Sequence, residues 1–252
     1  MANALVLKNV SKRFGGLIAV RDVSIDIPHG ERRALIGPNG AGKTTLFNLI
    51  AGDLQVSTGR VYVFDRDVTK IPPHKRVKLG LRRTYQTSAL FNRLTVSQNL
   101  YLGVLGPGDG KKHFDCFTVS ERDSLRMDRV LEIAEAVGLS DWLSVKTSDL
   151  GHGQRRQLEI GLALAWKPRL IMFDEPAAGL SSEERGVIVG LIKKLDRSVS
   201  VLLIEHDMEV ALNIGERVTV LHEGCIIAEG TPSEISSNTL VQQVYLGGSM
   251  AV

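Results

Sequence analysis

The sequence predicts an α/β protein built around a largely parallel β-sheet. A glycine-rich segment at residues 37–44 joins a short apolar stretch to a helical pattern. Two continuous apolar runs, at 170–173 and 201–204, are typical of parallel strands that are covered on both faces. Because helical patterns lie between these runs, we expect strands and helices to alternate around one sheet.

The N-terminal part is predicted to form an antiparallel pair of strands. Residues 4–10 and 18–27 are rich in β-branched and apolar side chains, and the two glycines at 15–16 allow a turn between them. Residues 34–36 are expected to form a short buried strand, and residues 60–64 form another strand after a second glycine turn.

Residues 87–166 are predicted to form a mostly helical insertion. Residues 103–118 contain several glycines and a proline and are interpreted as an exposed loop. A helix is expected to begin after Ser120 and to end at Gly138, since both residues suit the corresponding helix termini. The apolar face of that helix is expected to contain Leu125, Val130, Ala134 and Val137.

These segments divide the chain into three parts. We expect an α/β core with its β-rich N-terminal portion over 1–86 and 167–230, the helical insertion over 87–166, and a helix or tail over 231–252. The length of 252 residues leaves room for one large α/β domain or two small ones, and the three parts are interpreted as one domain.

Composition argues against several classes of protein. Hydrophobic residues make up 43% of the chain, but no apolar run reaches the ~18–20 residues that a membrane-spanning helix needs. The N-terminus resembles a strand and not a signal peptide, so a cytosolic location is expected. Cys116 and Cys225 form neither a disulfide framework nor a zinc pattern. The formal charge of +3 is too small to indicate nucleic acid, and the basic residues at 74–78 are interpreted as a solvated helix face.

Residues 37–44 match the complete pattern G-x-x-x-x-G-K-[ST], and we call them the phosphate-binding loop. Its glycines allow tight curvature and direct backbone N–H groups at phosphate oxygens. Lys43 provides a cation for the β- and γ-phosphates, and the Thr44 hydroxyl is placed to ligate Mg²⁺. A helix that begins near Thr45 adds its N-terminal dipole. The residues expected to bind the nucleotide here are Gly37, Pro38, Asn39, Gly40, Ala41, Gly42, Lys43, Thr44 and Thr45.

Two carboxylates follow the apolar run at 170–173. Asp174, at the end of the predicted strand, is expected to hold the Mg²⁺ shell opposite Thr44. Glu175 is expected to polarise the attacking water as a general base. The sequence therefore predicts hydrolysis of a nucleoside triphosphate.

Two other classes of nucleotide hydrolase are not supported. A GTPase would need the tetrapeptide patterns N-K-x-D and D-x-x-G, and neither occurs in the chain. A chromosome-maintenance or repair ATPase would carry a long coiled coil in the insertion, for which residues 87–150 are too short.

With all of these segments in order, nearly the whole chain resembles the ATPase subunits of ATP-binding-cassette (ABC) transporters. The resemblance implies an ABC-type P-loop core with an N-terminal antiparallel β subdomain and an inserted helical subdomain. It also implies that Phe14 stacks on adenine, that Gln86 senses Mg²⁺ and the attacking water, and that His206 contacts the γ-phosphate. Lys43 and His206 would then stabilise charge on the leaving phosphoryl group.

The family signature Leu-Ser-Gly-Gly-Gln reads Leu-Gly-His-Gly-Gln at residues 150–154, which we call the signature segment. The resemblance implies that Gly151, Gly153 and Gln154 face the ATP held by a second subunit. Gly151 has no hydroxyl, so one hydrogen bond of about 0.5–1.5 kcal/mol is missing, while the N–H groups from Gly153 onward remain. His152 could supply a replacement donor or face the partner chain. Ser181 stands where many members have Asp, which puts the usual cross-dimer hydrogen bond in question, but not hydrolysis.

Several segments are similar to the longer ATPase chain of branched-chain amino-acid importers: residues 151–160, 174–180, 204–208 and 244–247. This resemblance implies two transmembrane permease subunits, a second ABC ATPase subunit in a hetero- or homodimer and, indirectly, a periplasmic or lipoprotein substrate-binding protein. The chain would then lie on the cytoplasmic face of the cell membrane and bind no nucleic acid.

Alternatives remain open at the level of the cargo and of the class. Related importers for urea, amides or aromatic acids share the pattern, and the ATPase of the lipopolysaccharide exporter also ends in Val-Tyr-Leu-Gly. A soluble ABC ATPase switch would usually need two cassettes in one chain. A small-molecule kinase would need an acceptor pocket and an arginine-rich lid.

Overall fold

The structure is a computed structural model that describes residues 3–84, 90–109 and 121–247. Its strands are β1 (Asn3–Phe14), β2 (Leu17–Pro28), β3 (Arg32–Ile36), β4 (Thr58–Val63), β5 (Arg66–Asp67), β6 (Leu81–Arg83), β7 (Leu170–Asp174), β8 (Ser200–Ile204), β9 (Arg217–His222) and β10 (Cys225–Gly230). Its α-helices are α1 (Lys43–Ala51), α2 (Pro73–Val77), α3 (Val96–Asp109), α4 (Glu121–Ala136), α5 (His152–Leu164), α6 (Ser182–Lys194), α7 (Met208–Ile214), α8 (Pro232–Ser236) and α9 (Thr239–Gly247).

The chain divides into two compact units. The first comprises Met1–Arg83, Arg169–Pro176 and Leu195–Val252, and the second comprises Thr84–Pro168 and Ala177–Lys194. The segment that contains α6 therefore belongs to the helical unit, whereas the sequence analysis placed it with the core. Within the described ranges, no helix combines the length and the apolar character needed to cross a bilayer.

The main sheet of the first unit has the strand order β10-β9-β3-β8-β7-β6. Strands β9, β3, β8, β7 and β6 run parallel, and β10 pairs antiparallel with β9 at one edge. Every residue of β3, β7 and β8 is buried. Burial on both faces explains the continuous apolar runs of β7 and β8, and the predicted largely parallel sheet is confirmed.

A second sheet in the same unit is antiparallel, with the order β2-β1-β4-β5. The turn between β1 and β2 contains Gly15 in the left-handed region (φ 58°), as predicted for this glycine pair. One apolar core packs the two sheets and α1 together, and its buried members include Leu7, Phe47, Val61 and Met172.

The second unit is helical, with α3, α4, α5 and α6 packed against one another. Gly161 of α5 allows close packing, because an added Cβ would lie 3.1 Å from side-chain atoms of both Leu100 and Ile133. The buried Asn99 amide donates to the Thr147 hydroxyl at 2.9 Å and accepts from the Phe91 N–H at 2.9 Å.

The prediction of an exposed loop at 103–118 is wrong for residues 103–109, because these residues continue α3. An added Cβ on Gly103 would lie 2.8 Å from Leu162 Cδ2, and the indole N–H of Trp166 donates to the Gly103 carbonyl at 2.7 Å. This glycine therefore serves a close helix–helix approach and not a turn. The rest of the predicted loop, 110–118, lies outside the described residues.

Helix α4 has a narrower apolar face than predicted. Val130, Ala134 and Val137 are buried, but Leu125 is 70% exposed, so its assignment to the buried face is wrong. Gly138 lies two residues after the end of α4 and is in the left-handed region at φ 73°, consistent with its predicted role as a helix stop. Ser120, the predicted helix start, lies outside the described residues.

The prediction of a solvated basic face at 74–78 is wrong for Arg76, which is only 2% exposed. Its guanidinium donates to the carbonyls of Leu49 (2.9 Å), Ile50 (2.7 Å) and Ile71 (2.7 Å). Arg76 thus satisfies carbonyl groups at the C-terminal end of α1, and burial lowers the pKa of Arg76 to about 10.

Candidate nucleotide-binding site

The site lies where three neighbouring parallel strands end at the same edge of the sheet. In β3 and β8, Leu35 pairs with Ile204, which in turn pairs with Asp174 of β7. The phosphate-binding loop follows β3, Glu175 follows β7, and His206 lies two residues after β8. Strand order therefore brings together groups that are far apart in the sequence.

The phosphate-binding loop has two glycine positions that no other residue could occupy without displacement of the backbone. An added Cβ would lie 2.1 Å from the Leu221 carbonyl oxygen at Gly37 and 2.4 Å from the Ala19 carbonyl oxygen at Gly42. Gly42 also caps α1 in the left-handed region at φ 101°. The N-terminus of α1 is thus held at the loop, where the helix dipole favours an anion.

Lys43 lies inside this loop and is 7% exposed. Its ammonium donates to the carbonyls of Gly37 (2.6 Å) and Pro38 (2.9 Å). Burial lowers the pKa of Lys43, and the negative charge of Glu175 acts in the opposite direction. The loop therefore carries a partly desolvated cation next to the predicted general base.

A cavity of about 600 Å³ opens above the loop. Phe14, Thr44, Thr45 and Glu175 line it, together with Arg21 and Glu223, which the sequence analysis did not identify. Phe14 is 46% exposed, and the Lys12 ammonium lies 5.0 Å from the centroid of its ring. An exposed aromatic face at one end and an anion-binding loop at the other fit a base and its phosphates.

Glu175 and His206 form a pair at the edge of the sheet. His206 Nδ1 lies 3.6 Å from Glu175 Oε2, and the Glu175 N–H donates to the Ile204 carbonyl at 3.0 Å. Glu175 has a φ of 49°, a backbone conformation that is sparsely populated for side-chain-bearing residues and that clusters at functional sites. The strand ends thus hold a carboxylate within reach of an imidazole.

Asp174 is buried and paired with Arg83. Arg83 Nη2 donates to Asp174 Oδ2 at 2.9 Å, while its Nη1 donates to Asn48 Oδ1 at 2.5 Å and to Asp53 Oδ2 at 2.8 Å. The Arg83 guanidinium also lies over the Phe47 ring at 5.1 Å. Sequence reasoning missed Arg83, since only the fold shows that β6 and β7 are neighbours.

The oxygen donors at this edge suit Mg²⁺. No cluster of three or more His, Cys, Asp or Glu side chains able to hold a metal occurs among the described residues. Mg²⁺ usually takes one or two protein oxygens and completes its shell with phosphate and water. The Thr44 hydroxyl and the Asp174 carboxylate provide this type of donor. Gln86, the third predicted ligand, lies outside the described residues.

The signature segment begins α5 in the helical unit. Gly151 is the N-cap residue and provides no side-chain cap, and α5 starts at His152. The Gly153 N–H donates to Glu184 Oε1 at 2.9 Å. Glu184 was also missed, although the spacing of Ser181 and Glu184 is that of a helix capping box.

A sheet with a phosphate-binding loop after β3 and the carboxylate pair of Asp174 and Glu175 at the end of β7 defines a P-loop nucleotide hydrolase. A family model described as "ABC transporter" matches residues 20–178, and one described as "Branched-chain amino acid ATP-binding cassette transporter" matches residues 225–251. The chain therefore belongs to the ABC transporter family, as an ATPase whose hydrolysis of ATP is coupled to transport. The resemblance seen in the sequence is confirmed.

Known relatives cover nearly the whole chain. The high-affinity branched-chain amino acid transport ATP-binding protein BraF of Pseudomonas aeruginosa is 35% identical over 96% of this chain and 97% of its own. The ADP conformation of MJ1267, an ATP-binding cassette of an ABC transporter, has a TM-score of 0.86 and 32% identity and covers 98% of this chain and 100% of that chain. A dimeric structure of a post-hydrolysis state of the ATP-binding cassette MJ0796, bound to ADP and Pi, has a TM-score of 0.74 and 28% identity. The match covers 90% of this chain and 98% of that chain.

Proposed function

We propose that this chain powers the import of branched-chain amino acids. The observation that carries the proposal is the C-terminal match: residues 225–251 fit the model of branched-chain amino acid cassettes, beyond the general ABC match at 20–178. BraF, which is similar over nearly its full length, carries the same substrate class in its name.

ATP binds with its phosphates on the phosphate-binding loop and its adenine against Phe14. The loop amides and the N-terminus of α1 face the phosphates, and Lys43 neutralises charge on the β- and γ-phosphates. The extent of the cavity, which reaches from Phe14 to Glu175, supports this placement.

Thr44, Asp174 and Gln86 would hold Mg²⁺. When bound, the ion would neutralise negative charge that develops during phosphoryl transfer. Asp174 is 2% exposed, and its ion pair with Arg83 at 2.9 Å restricts the orientation of the carboxylate.

Glu175 orients and deprotonates the attacking water, and His206 stabilises the γ-phosphoryl group. The contact between Glu175 and His206, at 3.6 Å, supports a joint role in holding water in line with the phosphate. Lys43, like His206, stabilises charge on the leaving γ-phosphoryl group.

A second ATPase subunit completes the site with its own signature segment. Gly151, Gly153 and Gln154 of this chain serve the ATP of that partner in return. The dimeric form of the related cassette MJ0796 supports such an arrangement. Two transmembrane permease subunits and a periplasmic or lipoprotein binding protein complete the transporter, with this chain peripheral on the cytoplasmic face of the membrane.

The test is reconstitution of the chain with its second ATPase subunit, its permease subunits and its binding protein in proteoliposomes. We expect leucine-loaded binding protein to stimulate ATP hydrolysis and leucine uptake, and Glu175→Gln to abolish both while ATP binding persists. Stimulation by urea or an aromatic acid instead of leucine would contradict the substrate class. ATP turnover that requires a phosphoryl acceptor other than water would contradict the transport role. Stimulation of ATP hydrolysis by ribosomes or DNA would also contradict it.

A further inference from the structure

The Glu184 carboxylate connects the starts of two helices in the helical unit. Its Oε1 accepts the Gly153 N–H at 2.9 Å, in the first turn of α5. Its Oε2 accepts the Ser181 N–H at 3.0 Å and the Ser181 hydroxyl at 2.9 Å, just before α6. The two oxygens therefore have separate partners.

The capping role of Glu184 needs only one of these oxygens. The Ser181 hydroxyl accepts the Glu184 N–H at 3.3 Å, and Oε2 returns to the Ser181 N–H, which is the reciprocal pattern of a capping box. Oε1 is not required for this box. Its contact with Gly153 is thus an additional interaction with α5.

The start of α5 attracts an anion for a local reason. Gly151 offers no side-chain cap, so the first amides of this 13-residue helix have no acceptor from the N-cap residue. A negative group at a helix N-terminus is favourable, and Glu184 provides one. Hydrogen bonds from Ser181 and Gly153 hold the pKa of Glu184 below its usual value. The Ser181 N–H makes the largest contribution, and the charge of His152 makes a smaller one. Glu184 is therefore an anion at neutral pH.

The Gly153 N–H belongs to the signature segment, which in the proposed function faces the terminal phosphate of a partner's ATP. The space at Gly153 is already taken, because an added Cβ there would lie 2.9 Å from Glu184 Oε1. A phosphate oxygen and a carboxylate oxygen carry like charges and cannot both accept this single N–H without repulsion.

We propose that Glu184 is an internal anionic occupant of the signature segment, which must withdraw from Gly153 before the partner's ATP can engage it. Ser181 retains Oε2 during this movement, so α6 keeps its cap. The contact holds each subunit in an unengaged state and sets the ATP concentration at which two subunits close. This inference rests on the proposed function, because it takes the partner's nucleotide as the competing anion.

The test uses Glu184→Gln in the assembled transporter. Glutamine keeps the size and an acceptor oxygen for the cap but removes the charge, so the contact with Gly153 weakens. We expect the ATP concentration for half-maximal hydrolysis to fall about fivefold, since a charged acceptor binds an N–H more strongly than a neutral one. Binding of ATP to the isolated chain, at its own phosphate-binding loop, should not change.

Glu183→Gln is the matched control, since Glu183 is an exposed carboxylate in the same helical turn. It removes the same charge and should leave the ATP dependence at the wild-type value. Equal shifts in both variants would show a general charge effect and overturn the proposal. An unchanged or higher half-maximal ATP concentration for Glu184→Gln would also overturn it, while leaving the proposed function intact.

A second measurement does not depend on the variant's activity. Hydrogen exchange at the start of α5 should be slower in the isolated wild-type chain than in Glu184→Gln, because the Gly153 N–H loses its charged acceptor. Equal exchange rates would contradict the occupancy of this amide. If the wild-type transporter itself shows no ATP hydrolysis, the proposed function fails, a result distinct from either of these.

Discussion

Arg83 and Asp174 form a buried ion pair, with 2.9 Å between Arg83 Nη2 and Asp174 Oδ2 and side-chain exposures of 9% and 3%. The pair joins the end of β6 to the end of β7, at the carboxylate that we propose as a magnesium ligand. Arg83 also contacts Asp53 and Asn48, so one guanidinium connects several polar groups near the end of β7.

Replacement of Arg83 should therefore destabilise the ligand-free chain. Arg83→Met removes the cation that pairs with the buried Asp174 carboxylate, and we therefore expect the free energy of unfolding to fall by about 3 kcal/mol. Urea unfolding without nucleotide measures this. Arg82→Met on the same strand is the control and should cost less, because the Arg82 guanidinium donates to the neutral Val77 carbonyl at 3.3 Å. A loss for Arg83→Met no larger than that of the control would contradict the role of the ion pair.

Arg76→Met should lower the free energy of unfolding by about 3 kcal/mol, because several buried carbonyls lose a charged donor. Lys75→Met, in the same basic stretch but exposed, should change it by no more than about 0.5 kcal/mol. Urea unfolding of both variants checks the difference. Similar small losses for both variants would contradict a stabilising role of the buried Arg76 guanidinium.

Phe14→Ala should weaken ATP binding about tenfold, since stacking of a base on an aromatic ring contributes roughly 1–3 kcal/mol. Phe14→Trp should retain binding, and Leu17→Ala, which removes an exposed aliphatic side chain from the same cavity, should have a smaller effect. Calorimetry with the Glu175→Gln chain isolates binding from hydrolysis. Equal affinity of the Phe14→Ala variant and the parent would exclude stacking.

Gly151→Ser should raise ATP hydrolysis by the assembled transporter roughly two- to tenfold, the range that one hydrogen bond provides. The backbone tolerates serine, because Gly151 has a φ of −68°. An added Cβ would meet Gln154 Oε1 at 2.7 Å, and that flexible side chain can move aside. An unchanged rate would show that the missing hydroxyl has no role.

The stability contribution of Glu184 should depend on pH. Hydrogen bonds from Ser181 and Gly153 lower the pKa of Glu184 in the folded chain, so its contribution is complete above the unfolded pKa and is lost as the pH falls through the lower folded value. The difference in unfolding free energy between wild type and Glu184→Gln should stay constant from neutral pH to about pH 5 and shrink below about pH 4.5. Urea unfolding across this pH range tests the sign. A difference that grows toward low pH would contradict it.

Local patterns predicted the elements that depend on short stretches of chain. The apolar runs of β7 and β8 and the glycine turn between β1 and β2 have such signals, and the structure confirms these elements. The predictions for Gly103, Arg76 and Leu125 were wrong because each depends on which neighbour packs against the residue. A glycine in a loop and a glycine at a helix contact look alike until the second helix is known.

The sequence by itself determined the chemistry that this protein can perform. The phosphate-binding loop, the pair Asp174 and Glu175, and the order of segments follow from residue types at fixed spacing, since each tight turn or anion contact needs a particular side chain or none. Tertiary structure alone decided which distant groups meet: Arg83 with Asp174, and Glu184 with Gly153. These contacts arise from strand order and helix packing, which bring residues together across 91 and 31 positions of the chain.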